Sequence, residues 1–147
     1  MKNLETLLEK AIKIAHDVHH EQVDKAGKPY IEHPLRVMDN VQTLEEKIVG
    51  VLHDAVEDSD LTLEDLVKLG FPENLIEAIE AITKRRKEHY QSYLKRVMSN
   101  PIALRVKIAD MLDNMDMSRI SAPTEKDWKR YKKYQETLPL LRSALRD

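Results

Sequence analysis

Residues 48–60 read IVGVLHDAVEDSD: an apolar run (Ile48, Val49, Val51, Leu52, Val56) that also holds an imidazole and three carboxylates, His53, Asp54, Glu57 and Asp58. The apolar spacing predicts a core-packed helix over about residues 44–58. Residues four apart share a helical face, which stacks His53 above Glu57 and Asp54 above Asp58, away from Val49, Leu52 and Val56. Carboxylates buried without partners are strongly unfavourable, so this polar face needs cations, hydrogen bonds or water. A divalent metal is one such cation.

Outward from this segment the chain continues to read as helix. Only three glycines and one Phe occur in 147 residues, amid abundant Leu, Ile, Ala, Glu and Lys. Leu4, Leu7, Leu8, Ala11, Ile12 and Ala15 mark the buried stripe of a first helix running to about Gln22. The longest irregular stretch is DKAGKPYIEHP (24–34), after which a second helix starts near Pro34. Thr62 with Asp65 predicts a capped short helix stopping near Gly70, and Pro72 the first turn of the next. Asn100 with Pro101 and Thr124 with Asp127 open two more, the last covering 124–147. These signals predict an all-α chain forming one domain over 1–147, with no repeat or long linker.

Charge and composition narrow the function classes. Twenty-four basic residues face 26 acidic ones, so no global field favours a nucleic-acid polymer or an anionic membrane. The absence of cysteine excludes disulfides and thiolate metal sites, and suits a reducing cytoplasm. The N-terminal MKNLETLLEK alternates charges with leucines, unlike a signal peptide or a membrane span.

Two further segments complete a ligand set. In NPIALRVKIADMLDNMDMSRI (100–120), Ile108, Leu112 and Met115 follow one helical spacing, while Lys107, Asp110 and Asn114 step along another face. Asp110 is there either a ligand or a simple partner of Lys107. In YIEHP (30–34), His33 precedes a proline that favours extended backbone, which makes it a stiff loop ligand. His33, His53, Asp54 and Asp110 together offer two imidazoles and two carboxylates. Such mixed ligation without thiolate leans towards Mn or Fe, with Zn or another divalent ion open.

Other features have plainer readings. His16 and His20 lie four apart, but HHEQ lacks the HExxH arrangement. The Lys84–Lys87 run is either a solvated helix face or a phosphate contact. Tyr90, Tyr93 and Trp128 suit packing, and the last helix packing or a homodimer face.

The strings AHDVHHEQVDKAGKPYIEHPLRV (15–37), VLHDAVEDSDLTLEDLVKLGF (51–71) and VKIADMLDN (106–114) resemble the HD-domain metal-dependent phosphohydrolases. The likeness is greatest to the hydrolase domain of RelA/SpoT-type alarmone enzymes and spans about residues 11–120. It implies a bundle of about six to eight helices and a metal, commonly Mn, held by His33, His53, Asp54 and Asp110. It further implies that Glu57 and Asp58 activate or orient the attacking water, that Asn114 contacts substrate, and that His19 is structural or lies behind the ligands. Lys25, Lys28, Lys107 and the 84–87 run, Arg86 included, become candidates to bind phosphoryl oxygens. The implied activity is hydrolysis of the 3′-pyrophosphate of (p)ppGpp by a free-standing hydrolase. Alternatives are another nucleotide or small phosphoester as substrate, or a nucleotide sensor without turnover. Four positions depart from the pattern: Asp24 stands where many alarmone hydrolases carry a guanine-packing Arg, Met111 and Asp113 change ADRLHN to ADMLDN, and Met117 replaces a common Thr.

Overall fold

Side chains mark where four helices begin. Thr43, Thr62 and Thr124 accept hydrogen bonds from the backbone N–H of Glu46, Asp65 and Asp127. The Asn100 side chain accepts from Ile102 and Ala103 ahead of Pro101. At Thr62 and Thr124 the third residue also caps back, which satisfies two otherwise orphaned donors at once. In the structure, a computed structural model describing residues 3–145, the helices are α1 (Leu4–Val18), α2 (Glu32–Asp39), α3 (Leu44–Leu52), α4 (Leu63–Lys68), α5 (Glu73–Ile82), α6 (Tyr90–Met98), α7 (Pro101–Asn114) and α8 (Glu125–Ala144). A 3₁₀ turn, Met117–Arg119, precedes α8. The chain is thus all-α among the described residues, apart from a single bridge between Val23 and Pro29. No helix among them is long and apolar enough to cross a membrane.

Several boundaries differ from the sequence reading, each for a local reason. Helix α1 ends at Val18 and not near Gln22, because His19 caps it and turns its imidazole Nδ1 onto Gln22 Oε1 at 2.7 Å. Helix α3 ends at Leu52, six residues early: the carbonyl of Gly50, which a continuing helix would use, accepts from His53 Nδ1 at 2.6 Å. Residues 53–60 therefore form turns, held by Asp58 N–H on Asp54 O and Ser59 Oγ on Ala55 O. His33 is not a loop residue: α2 begins at Glu32, so His33 and Pro34 occupy its first turn. A first-turn proline loses nothing, since its missing N–H would have had no helical acceptor. Pro72 caps α5 from outside, one residue earlier than predicted. The 84–89 segment is an exposed loop, not a helix face, with Lys87 at φ 63°. Arg96 ties it down through Glu88 (2.7 Å) and the carbonyls of Glu80 and Thr83.

Helices α3 and α7 organise the packing. Helix α3 lies against α1, α2, α5 and α7, while α7 also meets α2, α5, α6 and α8. Ala103, Val106 and Ala109 of α7 join a core with Leu7, Val37 and Ile48. Leu104 and Met111, from its other side, join Tyr93, Val97 and Leu141. An apolar girdle this wide marks a helix buried on more than one face. As a result α2, the end of α3 and α7 converge, and each brings polar side chains to the junction.

Ile79 has no exposed surface, so Ile79→Ala is expected to cost about 2–5 kcal/mol. Thr62→Ala removes one cap and should cost about 1 kcal/mol. Urea unfolding of both variants checks the ranking.

Candidate metal centre

His33, His53 and Asp54 present ligand atoms that all lie within 4.8 Å of one another. Asp54 Oδ2 is 3.1 Å from His53 Nε2 and 3.7 Å from His33 Nε2. Asp110 Oδ1 reaches the same two nitrogens at 2.9 Å (His33) and 3.1 Å (His53). Ligands held about 2.1 Å from one ion stand roughly 3 Å apart, so these spacings suit a shared cation. The other nitrogen of each ring is already committed. His53 Nδ1 donates to Gly50 O and His33 Nδ1 to Asp113 Oδ2, both at 2.6 Å, which leaves Nε2 of each ring facing the centre. The donor set therefore fits a divalent metal.

Electrostatics points the same way. Burial opposes charge on Asp54, yet His53 outweighs it and the carboxyl is held at about 2. Burial likewise opposes charge on Asp110, and Lys107 and His53 hold its pKa well below the ordinary value. Burial disfavours a charged His53, but Asp54 and Asp110 raise its pKa well above the usual imidazole range. Two buried carboxylates thus draw positive charge to the Nε2 atoms, whether proton or metal. Tyr30, not singled out in the sequence, donates to Asp54 Oδ2 at 2.5 Å. Burial first and Asp54 second raise its phenol pKa far above normal, so it stays a donor.

A cavity of about 400 Å³ opens over this centre, lined by His33, Asp54, Asp110, Glu57, Asn114 and several basic residues. Lys107 Nζ sits 3.0 Å from Asp110 Oδ2, and Asn114 Nδ2 donates to Asp110 Oδ1 at 3.1 Å. Glu57 Oε1 accepts from Lys84 N–H at 2.8 Å. Partial burial raises the Glu57 pKa, and this backbone bond offsets only part of that. Lys25 lines the cavity while its ammonium pairs with Asp127 at 2.5 Å.

Other expected residues lie elsewhere. Asp58 and Arg86 do not line the cavity, and Arg86 is exposed on the 84–89 loop. His16 and His20 are exposed on and just beyond α1, outside the ligand cluster. His19 is buried against Tyr30, with ring centroids 5.0 Å apart. The sequence reading missed Tyr30, Arg36, Arg119 and Arg130 as cavity residues. Arg36 stands three residues after His33, on the same face of α2, a relation hidden while His33 was placed on a loop.

With the geometry in place, known proteins offer comparison. No protein-family model matches the chain. It is 35% identical over 120 residues to a guanosine-3′,5′-bis(diphosphate) 3′-pyrophosphohydrolase of Aquifex aeolicus, covering 74% of this chain and 17% of that protein. A GTP pyrophosphokinase of Streptomyces coelicolor is 32% identical over 146 residues, 90% of this chain and 17% of its own. The bifunctional (p)ppGpp synthase/hydrolase SpoT of Escherichia coli is 28% identical over 123 residues, 74% of this chain and 17% of its own. The chain spans about a sixth of the length of these relatives. A solved structure described as a metazoan ortholog of SpoT that hydrolyses ppGpp shares the fold at TM-score 0.74 and 24% identity, covering 95% of this chain and 85% of the other.

A ligand that binds only the folded state stabilises it, by about 2.7 kcal/mol at a hundred times its Kd. Mn²⁺ should raise the melting temperature of the wild type accordingly, and His53→Ala should abolish the increase. Thermal melts with Mn²⁺ and with EDTA read this directly.

Proposed function

We propose that this chain, a homologue of the (p)ppGpp-hydrolase region of RelA/SpoT-type enzymes, is a metal-dependent phosphohydrolase of a phosphorylated nucleotide. The substrate that the relatives favour is guanosine-3′,5′-bis(diphosphate), losing its 3′-pyrophosphate, with Mn²⁺ as the ion. The carrying observation is the cluster of His33, His53 and Asp54, with Asp110 against both imidazoles, beside a cavity of nucleotide dimensions. Some relatives are named GTP pyrophosphokinase; a nitrogen and carboxylate ligand set beside the Glu57 carboxylate supports the hydrolytic reading.

A divalent ion held by His33, His53 and Asp54, with Asp110 beside them, would lower the pKa of a water and polarise a phosphoryl oxygen. Glu57 takes the proton: Lys84 N–H pins Oε1, Oε2 is free, and its raised pKa makes it a better base near neutrality. Asp58, outside the cavity, raises the local negative charge that Glu57 feels. Lys107 stays charged because Asp110 outweighs its burial, and it faces the cavity where phosphoryl charge develops. Arg130 also lines the cavity and has no carboxylate within ion-pair distance among the described residues. It is therefore the readiest phosphate anchor. Asn114 positions Asp110 from one side of its amide and faces substrate with the rest.

One observation favours a different nucleotide. Asp24 Oδ1 accepts from Ala26 N and Lys28 N, both at 2.9 Å, and so closes its own turn. It supplies no guanidinium face on which a guanine could stack.

Phosphate and pyrophosphate release should be measured over a nucleotide panel with Mn²⁺. Preference for ppGpp is the expected outcome; strong preference for another compound would reassign the substrate, and binding without turnover would make the protein a sensor. Glu57→Gln should lower kcat by about 10²–10⁴-fold with metal uptake intact. Since Glu57 must be ionised to act, wild-type activity should fall as pH drops through its raised pKa, and the residual activity of the variant should lack that limb.

A further inference from the structure

Asp113 occupies the position in ADMLDN where the RelA/SpoT pattern carries an imidazole, and nothing in the proposed reaction uses it. Its carboxylate is nonetheless engaged on both oxygens, by three different side chains. Oδ2 lies 2.6 Å from His33 Nδ1. Arg36 grips the same carboxylate in a fork, Nε to Oδ1 at 2.8 Å and Nη2 to Oδ2 at 3.1 Å. Arg119 approaches Oδ2 at 3.5 Å while donating to the Asp113 carbonyl at 2.8 Å, and its other arm reaches Asp116 at 2.9 Å. The Asp113 side chain is itself 7% exposed.

We infer that Asp113 is the positioning residue of the metal centre: it accepts the Nδ1 proton of His33, fixes that ring with Nε2 towards Asp54 and Asp110, and is held in place by the Arg36 fork. The inference rests on the metal reading of the site. Its physical basis is that an acceptor behind a ligating imidazole sets both tautomer and ring angle, and a carboxylate also makes the ring a stronger donor. A bidentate guanidinium locks the orientation of that carboxylate and keeps it ionised, which a single hydrogen bond would not do. The arrangement is short in sequence terms. His33 and Arg36 are one turn apart on α2, Asp110 and Asp113 one turn apart on α7, and the two turns face each other. One helix pair thus carries both a ligand and its support.

The test is binding of the metal alone. Calorimetry with Mn²⁺ should show Asp113→Ala weakened about 10–100-fold, and Asp113→Asn, which keeps shape and an acceptor oxygen, weakened less. Arg36→Met removes the fork but leaves the acceptor, so it should weaken Mn²⁺ binding measurably yet less than Asp113→Ala. With Zn²⁺ bound, the imidazole ¹⁵N shifts of His33 should report a protonated Nδ1 and a metal-bound Nε2 in the wild type, and a loss of that single form in Asp113→Ala. An unchanged Kd in either Asp113→Ala or Arg36→Met would overturn the inference alone. A wild type that takes up neither ion would overturn it together with the metal reading.

Discussion

Two carboxylates, Asp54 and Asp110, share one corner of this protein beside the same two imidazole nitrogens: Asp110 lies within hydrogen-bond reach of both, and Asp54 is 3.1 Å from His53 Nε2 and 3.7 Å from His33 Nε2. Their mutual repulsion in a poorly solvated site is the constraint around which the rest is arranged. Each carries its own compensation: Tyr30 donates to Asp54, and Lys107 and Asn114 bind Asp110. Tyr30 and Asn114 donate to the same oxygens that face the Nε2 atoms, Asp54 Oδ2 and Asp110 Oδ1, while Lys107 takes Asp110 Oδ2. A fold that merely needed stability would replace such a cluster by apolar side chains of similar size at little cost. Retaining it makes sense where a cation is to be gripped.

Holding that corner dictates the local backbone. Helix α3 is interrupted at His53 because the imidazole takes the Gly50 carbonyl, and the interruption swings Asp54 inward and Glu57 towards the 84–89 loop. That loop, rich in lysine and arginine, contributes a backbone N–H to the cavity carboxylate in place of its side chains. Arg96 makes the contact dependable by joining Glu88 to the carbonyls that end α5. Residues far from the cluster in sequence therefore set the direction of Glu57, the carboxylate proposed as the base.

Much of this was legible in the chain. Helical periodicity and the Thr62, Asn100 and Thr124 caps were written locally, and the starts of α4, α7 and α8 agree with them. The spacing Lys107, Asp110, Asn114 also placed three cavity residues on one face of α7 correctly. What misled was the assumption that local rules act alone. Pre-proline sterics suggested an extended His33, yet the first turn of α2 tolerates Pro34 and the Asp113 bond holds the imidazole inside it. Likewise, apolar spacing carried α3 past Leu52 because no periodicity records a side chain taking a carbonyl. Arg36, Arg119 and Arg130 stayed hidden since their role comes only from three separate segments meeting at one cavity.

The charge around that cavity has a further consequence for how a phosphorylated ligand could bind. Lys25, Arg36, Lys107 and Arg119 all line it, and each already faces a carboxylate, on Asp127, Asp113, Asp110 and Asp116 respectively. The wall is thus electrically close to balanced despite its cations, and a polyanion must either displace a pair or meet a positive charge not yet engaged. The Lys25–Asp127 pair is the cheaper to break: Lys25 is 46% exposed, so water can screen the loss, and Asp127 keeps the cap of α8. Arg36 is bound in a fork and supports the His33 side of the centre, so its displacement would loosen the metal ligands. On the proposed reading, phosphate binding would fall mainly to Arg130 and Lys25, while Lys107 stays held to Asp110 beside the ligand cluster. A nucleotide bound as proposed would then present its scissile phosphate to Lys107, whose ammonium Asp110 holds beside the ligand cluster.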